Sequence, residues 1–409
     1  MPPVESDGGD PSAARAAGAV RSSPVLRVVA LDDPAQLQAH EAAWEDLCAD
    51  ALEPNVFYEP WALLPAVDSF ASGTALQFLL VYGEAATPGG DPILCGLFPF
   101  ERQSRYRGLP LHHVSLWTHP HCFLGTPLVR RGRARECLAA AVEWLARDSR
   151  GAAAVEWKRI AADGPFFQVL SDVLADSARA TFLADRFTRA LLLPRADAEE
   201  YLCETLPGKS RKEFRRLERR LSEAGPVEYA DLGDAGEADA WIAQFLDLEA
   251  SGWKGSNATA LGSSAAGRRF FTRAAGEAAR RGRLMMLGLR VAGQPVALKC
   301  NLLSGDGSFA FKIAFDEAWG RFSPGVLLEL ENIRRFHQRP ELRWMDSCAT
   351  PEHFMANRLW MDRRTLVTLL SATGRVAGDL LVSALPVLRW AYRALRGVRG
   401  EAAAKGEVS

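Results

Sequence analysis

The chain has 409 residues, a formal net charge of −1, and hydrophobic and charged shares of 48% and 24%. A single core stops growing at ~250–300 residues, so two domains are expected. The composition excludes collagen, a long coiled coil and wholesale disorder, and the near-zero charge confines any polyanion site to a local patch.

Residues 1–24 are rich in Gly, Pro, Ser and Ala, and carry Glu5, Asp7 and Asp10 where a signal peptide would be basic. They read as a disordered lead-in. A strand is expected over 25–31 and a helix over 34–51. Strands over 77–82 and 93–100 form a hairpin around Pro88-Gly89-Gly90, and an amphipathic helix follows over 134–147. A boundary falls near Leu193 to Asp197. Beyond it, helices are expected over 210–224, 237–251 and 264–282, and strands over 284–291, 296–303 and 308–315. A helix over 324–338 and a strand over 342–346 complete the order. The two halves repeat one order of elements. This predicts an α+β (mixed α/β) protein made of duplicated units at 25–195 and 196–365.

Residues 365–396 are expected to form a helical tail with a disordered end, carrying Leu380, Leu385, Val387, Leu388 and Trp390, with Pro386 breaking it. It would pack on the body or a partner, or lie on a membrane surface through 376–396. No apolar run reaches the ~18–20 residues of a span. Seven cysteines without C-x-x-C spacing point to a reducing compartment. A cytoplasmic protein, with or without peripheral contact at the inner membrane face, is expected.

Several segments can carry chemistry. Arg321-Phe322-Ser323-Pro324-Gly325 joins a strand to a helix, with serine suited to an N-cap, Pro to the first helical position and an arginine close by. The first N–H groups of such a helix favour an anion such as a pyrophosphate. The helix from 210 places Lys212, Arg215, Arg216 and Arg219 on one face, fit for the phosphates of a nucleotide, a tRNA or a lipid-linked sugar. Glu249, Trp253 and Lys254 surround two glycines after a helix, as in a loop at a pocket. Lys312 and Asp316 share one face of a strand, and Asp316 or Glu317 at its end can act as a base. Asp346 ends another strand, with His353 and Arg358 beyond it; aspartate and histidine can act as a base pair. Cys348 has no local feature that would make it a thiolate. The histidines at 112, 113, 119 and 121 match no zinc spacing, so a structural or substrate-lining role is expected and no metal.

Taken together these motifs resemble the GNAT-type acyltransferases of the cellulose and exopolysaccharide biosynthesis group, relatives of the Fem peptidyltransferases with two tandem GNAT folds. The resemblance covers 25–365. In the first half it rests on Asn55 to Trp61 and His121 to Leu128. In the second it rests on the basic helix, Ser251 to Gly255, Phe311 to Asp316, Phe322 to Gly325 with Leu327-Leu328, and Asp346. The loop from Arg321 to Gly325 departs from a Gly-rich phosphate loop in holding one glycine. The resemblance implies two tandem GNAT-like domains with mostly antiparallel sheets flanked by helices. It implies acyl transfer from acyl-CoA, such as acetyl-CoA, to an amine or hydroxyl of a sugar or an envelope or exopolysaccharide precursor, by direct attack. The pyrophosphate would lie over Arg321 to Gly325, with Asp316, Glu317, Asp346 or His353 as base. Glu249, Trp253, Lys254, Lys312, Arg215 and Arg358 would bind substrate. The polysaccharide-synthesis machinery is the partner this implies. Two alternatives stand: an aminoacyl-tRNA-dependent Fem-like transferase, and a non-catalytic module for a nucleotide-sugar or a protein partner.

Overall fold

The computed structural model describes residues 26–85, 89–148, 150–251 and 261–390. The first half runs β1 (Arg27–Leu31), α1 (Glu41–Ala49), α2 (Pro60–Phe70), β2 (Leu76–Gly83), β3 (Ile93–Gln103), β4 (His113–Leu116) and β5 (Leu128–Val129). It continues with α3 (Ala134–Arg147), β6 (Ala154–Ala161), α4 (Pro165–Asp176) and β7 (Thr181–Leu192). The second half runs α5 (Ala198–Thr205), α6 (Gly208–Ser222), β8 (Val227–Asp231), α7 (Ala238–Ser251), α8 (Ala265–Arg280), β9 (Leu284–Val291), β10 (Gln294–Ser304) and β11 (Gly307–Phe315). After it come α9 (Pro324–His337), β12 (Trp344–Asp346), α10 (Phe354–Leu359) and β13 (Asp362–Ala372). A last helix, α11, covers 376–390.

All the strands join one mixed sheet in the order β1-β2-β3-β4-β6-β13-β7-β12-β11-β10-β9-β8, with β5 beside β3. The repeat expected from element order is visible in this topology. In each half an antiparallel meander (β1 to β4, β8 to β11) is followed by one parallel partner, β6 or β12. Each half then takes its next strand from the other. β13 pairs with β6, β7 pairs with β12, and β13 and β7 pair with each other from Asp362↔Leu191 to Ser371↔Thr181. The halves are thus stitched by exchanged strands into one sheet.

Three large hydrophobic cores follow, and a small fourth cluster lies under α11. One fills the space between the halves, with Trp44 and Trp61 of α1 and α2 in the same cluster as Phe245 and Phe271 of α7 and α8. A second lies under α3 and α4, and a third under α5, α6 and α9.

The tail departs from expectation in two ways. Residues 362–372 form a strand at the centre of the sheet, where 365–372 were expected to be helical. Thr365, Val367 and Thr368 are β-branched, and such side chains pack well on a pleated surface. Gly374, at φ 88, then turns the chain into α11. That helix runs through Pro386, on its exposed side, instead of breaking there. The expected helix over 34–51 is likewise split, into a 3-10 segment (Pro34–His40) and α1.

The exchange is locked by a buried ion cluster. Asp346, at the end of β12, has no exposed surface. Arg189 of β7 donates to its Oδ2 at 2.7 Å, Arg364 of β13 donates to the same oxygen at 2.9 Å, and the Cys348 N–H donates to Oδ1 at 2.9 Å. Burial alone would raise the Asp346 pKa, but the two guanidinium groups hold it below the usual range. Because the folded pKa is depressed, this contribution is complete above the ordinary carboxylate value of about 3.9 and is lost as pH falls through the folded value. Removing one partner of such a cluster costs about 3–5 kcal/mol. Asp346→Asn should therefore lower stability by that order in urea unfolding at neutral pH, and the gap to wild type should close in acid.

Candidate active site in the cleft between β11 and β12

β11 and β12 pair in parallel at only three positions, Gly307↔Trp344, Ser308↔Met345 and Phe309↔Asp346. The Trp344 ring covers Gly307 so closely that a Cβ there would overlap it. Beyond Phe309 the strands part, and β11 turns ladder groups towards a space with no strand opposite. That space is a cavity of about 300 Å³, lined by Ala310 to Ile313 on one side and Ser347 to Thr350 on the other. His353, Met355 and Ala356 close one end, and Trp360, Lys299 and Glu329 are also in its lining.

The floor is polar and fully paired at its charges. Lys299 Nζ lies 2.8 Å from Glu329 Oε2, and both residues are about 3% exposed. Asn332 and Trp360 donate to Glu329 Oε1 at 2.8 and 3.2 Å. Near the other wall, Lys312 Nζ lies 3.2 Å from Glu249 Oε1, while Glu249 Oε2 accepts the Leu261 N–H at 2.8 Å. Glu249 is buried at the end of α7, so a helix end, the segment returning at 261 and β11 meet on one carboxylate.

The first half supplies a wall. Phe123 lines the cleft, its ring 5.8 Å from that of Phe311, and its carbonyl accepts from Arg189 at 2.7 Å. Phe57 packs on Phe123 and Phe309, and Asn55 donates to the Leu124 and Thr126 carbonyls. The two first-half motifs, 55–61 and 121–128, therefore hold each other against the second-half cleft. Burial and the nearby Lys312 push the His121 pKa down to about 3, so this imidazole is neutral at physiological pH. Among the described residues, no three His, Cys, Asp or Glu are arranged to hold a metal ion.

The residues singled out in the sequence fall into four places. Lys312 and Glu249 meet beside the cleft, and His353 lines it. The His353 Nδ1 accepts the Ala356 N–H at 3.2 Å, so in the neutral ring Nε2 carries the proton and acts as a donor. Asp346 lies beneath the cleft, already held by two arginines. Asp316 caps a 3-10 segment (Glu317–Phe322) by accepting the Ala318 N–H, and Glu317 is exposed beside it. Trp253 and Lys254 lie outside the described residues. Cys348 lines the cleft, but burial and the Asp346 charge push its thiol pKa well up, so it is not a thiolate.

The segment from Arg321 to Gly325 forms the expected helix start, with Pro324 at its first position, but Ser323 does not cap it. Ser323 is left-handed, φ 52 and ψ 52, and makes no side-chain cap bond. Its carbonyl instead takes the Val326 and Leu327 N–H groups. A residue before proline is disfavoured in the right-handed helical region, but the left-handed conformation taken here is not the extended one such a residue favours. Arg321 stands 4.7 Å over the Phe322 ring, and Arg220 of α6 stands 5.8 Å from the same ring. The basic helix and the helix start thus converge. Arg358 lies over Phe214 of α6, and Arg215 lines a separate cavity of about 340 Å³ between α5, α6 and α9. Lys299 and Glu329 were not singled out in the sequence, whereas Phe123 belongs to the 121–128 motif. A lysine and a glutamate inside apolar stretches were the available signal for that pair.

Residues 208–355, from α6 into α10, match the acetyltransferase (GNAT) domain family. No curated protein matches the chain. Among solved structures, the fold is similar to FemX, at 9% identity and TM-score 0.54, covering 84% of this chain and 96% of that one. It is also similar to a conserved protein of unknown function from Bacteroides thetaiotaomicron, at 13% identity and TM-score 0.50, covering 85% and 99%. A tandem GNAT protein from the clavulanic acid biosynthesis pathway aligns over 86% and 99%, at 16% identity and TM-score 0.38. The chain has a GNAT-type acyltransferase fold.

The ion pair in the cleft floor generates a prediction. Lys299→Met leaves a buried carboxylate unpaired and should cost about 3 kcal/mol or more in urea unfolding. Lys299→Met with Glu329→Gln, which removes the charge but keeps an acceptor for Asn332 and Trp360, should recover most of that loss.

Proposed function

We propose that the protein transfers an acyl group from acyl-CoA to an amine or hydroxyl of a sugar or envelope-precursor acceptor, with the thioester seated between β11 and β12. The observation that carries this reading is the parting of these two strands after Phe309, which leaves a cavity beside unpaired strand edge. Backbone N–H groups there would stabilise the oxyanion as the tetrahedral intermediate forms. The phosphates would lie against Arg321 and Arg220, at the start of α9, where a helix N-terminus favours an anion.

Of the carboxylates, Glu249 is the best placed to take the proton. Asp346 is committed to two arginines and Asp316 to a cap; Glu249 also has both oxygens engaged, by the Leu261 N–H and Lys312, but Lys312 is a cleft residue through which its charge reaches the acceptor. The amine or hydroxyl would attack the thioester carbon directly and pass its proton towards Glu249, and the CoA thiolate would leave. His353, donating through Nε2, would orient the acyl oxygen or the acceptor. The paired Lys299 and Glu329 in the floor suit a short or polar acyl group, because an alkyl chain there would leave polar atoms without water.

The alternative of an aminoacyl-tRNA donor keeps the same cleft. It is favoured by the exposed arginines of α6 and by the polar floor, which would accept an amino acid side chain. The family match over 208–355 favours the CoA thioester.

Titration calorimetry with acetyl-CoA and CoA tests the donor. Binding is expected, with about tenfold weaker affinity in the Arg220→Ala, Arg321→Ala double variant, because charge-assisted contacts to phosphate are lost. Tight binding of aminoacyl-tRNA with none of CoA would sink the CoA reading. In turnover assays Glu249→Gln, which keeps an acceptor for the Leu261 N–H, should lower kcat by about 10²–10⁴-fold, the range for a lost general base, with a smaller change in KM.

A further inference from the structure

Eight large hydrophobic side chains are exposed among the described residues, and five of them belong to α11: Val376, Leu380, Val387, Leu388 and Trp390. Its inner side is buried, with Val382 and Leu385 packed on Tyr106, Leu370 and Ala372. At 100° per residue, Val376, Leu380, Val387 and Trp390 fall within one narrow stripe on the opposite side. The helix is therefore apolar both towards the body and towards solvent.

Two of the remaining three exposed residues lie on segments that touch the body side of α11. Leu109 belongs to the 104–111 segment, whose Tyr106 and Leu111 pack in the α11 cluster. Leu183 of β7 accepts a hydrogen bond from Arg389 of α11 through its carbonyl.

The charge around this patch is one-sided. Segments 104–111, 182–186 and 375–390 hold Arg105, Arg107, Arg186, Arg375 and Arg389 against Asp185 and Asp379 alone. None of these arginines has an ion-pair partner among the described residues. Arg107 rests on the Tyr106 ring, and Arg389 reaches the 183 and 184 carbonyls. No described helix is long and apolar enough to cross a membrane.

We propose that α11, with the 104–111 segment and the exposed edge of β7, docks the protein flat on an anionic lipid bilayer. The stripe of Val376, Leu380, Val387 and Trp390 would enter the headgroup and acyl boundary while Arg105, Arg107 and Arg186 meet lipid phosphates. An apolar helix face beside exposed basic residues of the adjoining segments, here Arg105, Arg107 and Arg186, is the chemistry of an interfacial helix, while Arg375 and Arg389 lie on the body side of α11, bonded to the Asp148, Leu183 and Ala184 carbonyls. Each basic residue near an anionic surface adds attraction that falls off within a Debye length.

The test is flotation of the full chain with vesicles of phosphatidylcholine alone and of phosphatidylcholine with about a third phosphatidylglycerol. Binding is expected only to the anionic vesicles, weakened about tenfold by raising salt to about 0.5 M. Leu380→Glu should reduce it at least tenfold, and Arg105→Glu with Arg107→Glu should do the same. These positions are exposed, so an unchanged circular dichroism spectrum will accompany the loss. If neither vesicle is bound, the proposal is overturned. It is equally overturned if light scattering shows a dimer that Leu380→Glu dissolves while vesicle binding stays absent, for the patch is then an interface between copies.

Discussion

Asp346 carries the geometry of the whole molecule. It sits where β12, β7 and β13 come together, and its two arginine partners come one from each exchanged strand. A buried ion cluster is not in itself a source of net stability, because desolvation offsets much of the attraction. Its effect is on registry: a shift of one residue in either strand would turn a guanidinium away and leave the carboxylate alone. The strand exchange, the continuous sheet and the contact of the halves all hold with that registry.

The cleft depends on the same cluster. Asp346 is the last residue of the short parallel ladder, and the strands part immediately beyond it. Arg189 ties Asp346 to the Phe123 carbonyl, so the first-half wall and the start of the cleft are fixed by one guanidinium. This explains why the first half is present in full beside a second half that holds most of the candidate site. Phe57 and Phe123 press on Phe309 and Phe311, and without them the outer face of β11 would stand open.

Much of the second half was legible from local pattern. The strands at 284–315 and the helix at 324–337 follow periodicity and tight turns, and 134–147 follows its amphipathic spacing. Strands β7 and β13 were not legible. β7 carries Asp185, Arg186 and Arg189 within its length, and β13 leads straight into the apolar residues of α11. What makes them strands is their pairing with each other, across more than 170 residues of sequence. The role of Asp346 was hidden for a related reason. A carboxylate at a strand end reads as a base until its partners are known, and Arg189 is 157 residues away. The anion loop was legible in place but not in detail, since the serine that suits an N-cap is left-handed and makes no side-chain cap bond.

The central claim is that the space opened beyond Phe309 holds the thioester of the donor. A crystal of the full chain soaked with an acyl-CoA tests it most directly. The account predicts the thioester carbonyl between residues 310–312 and 347–350, with the phosphates against Arg220 and Arg321. A donor bound elsewhere, for example in the cavity between α5, α6 and α9 with the cleft empty, would contradict it.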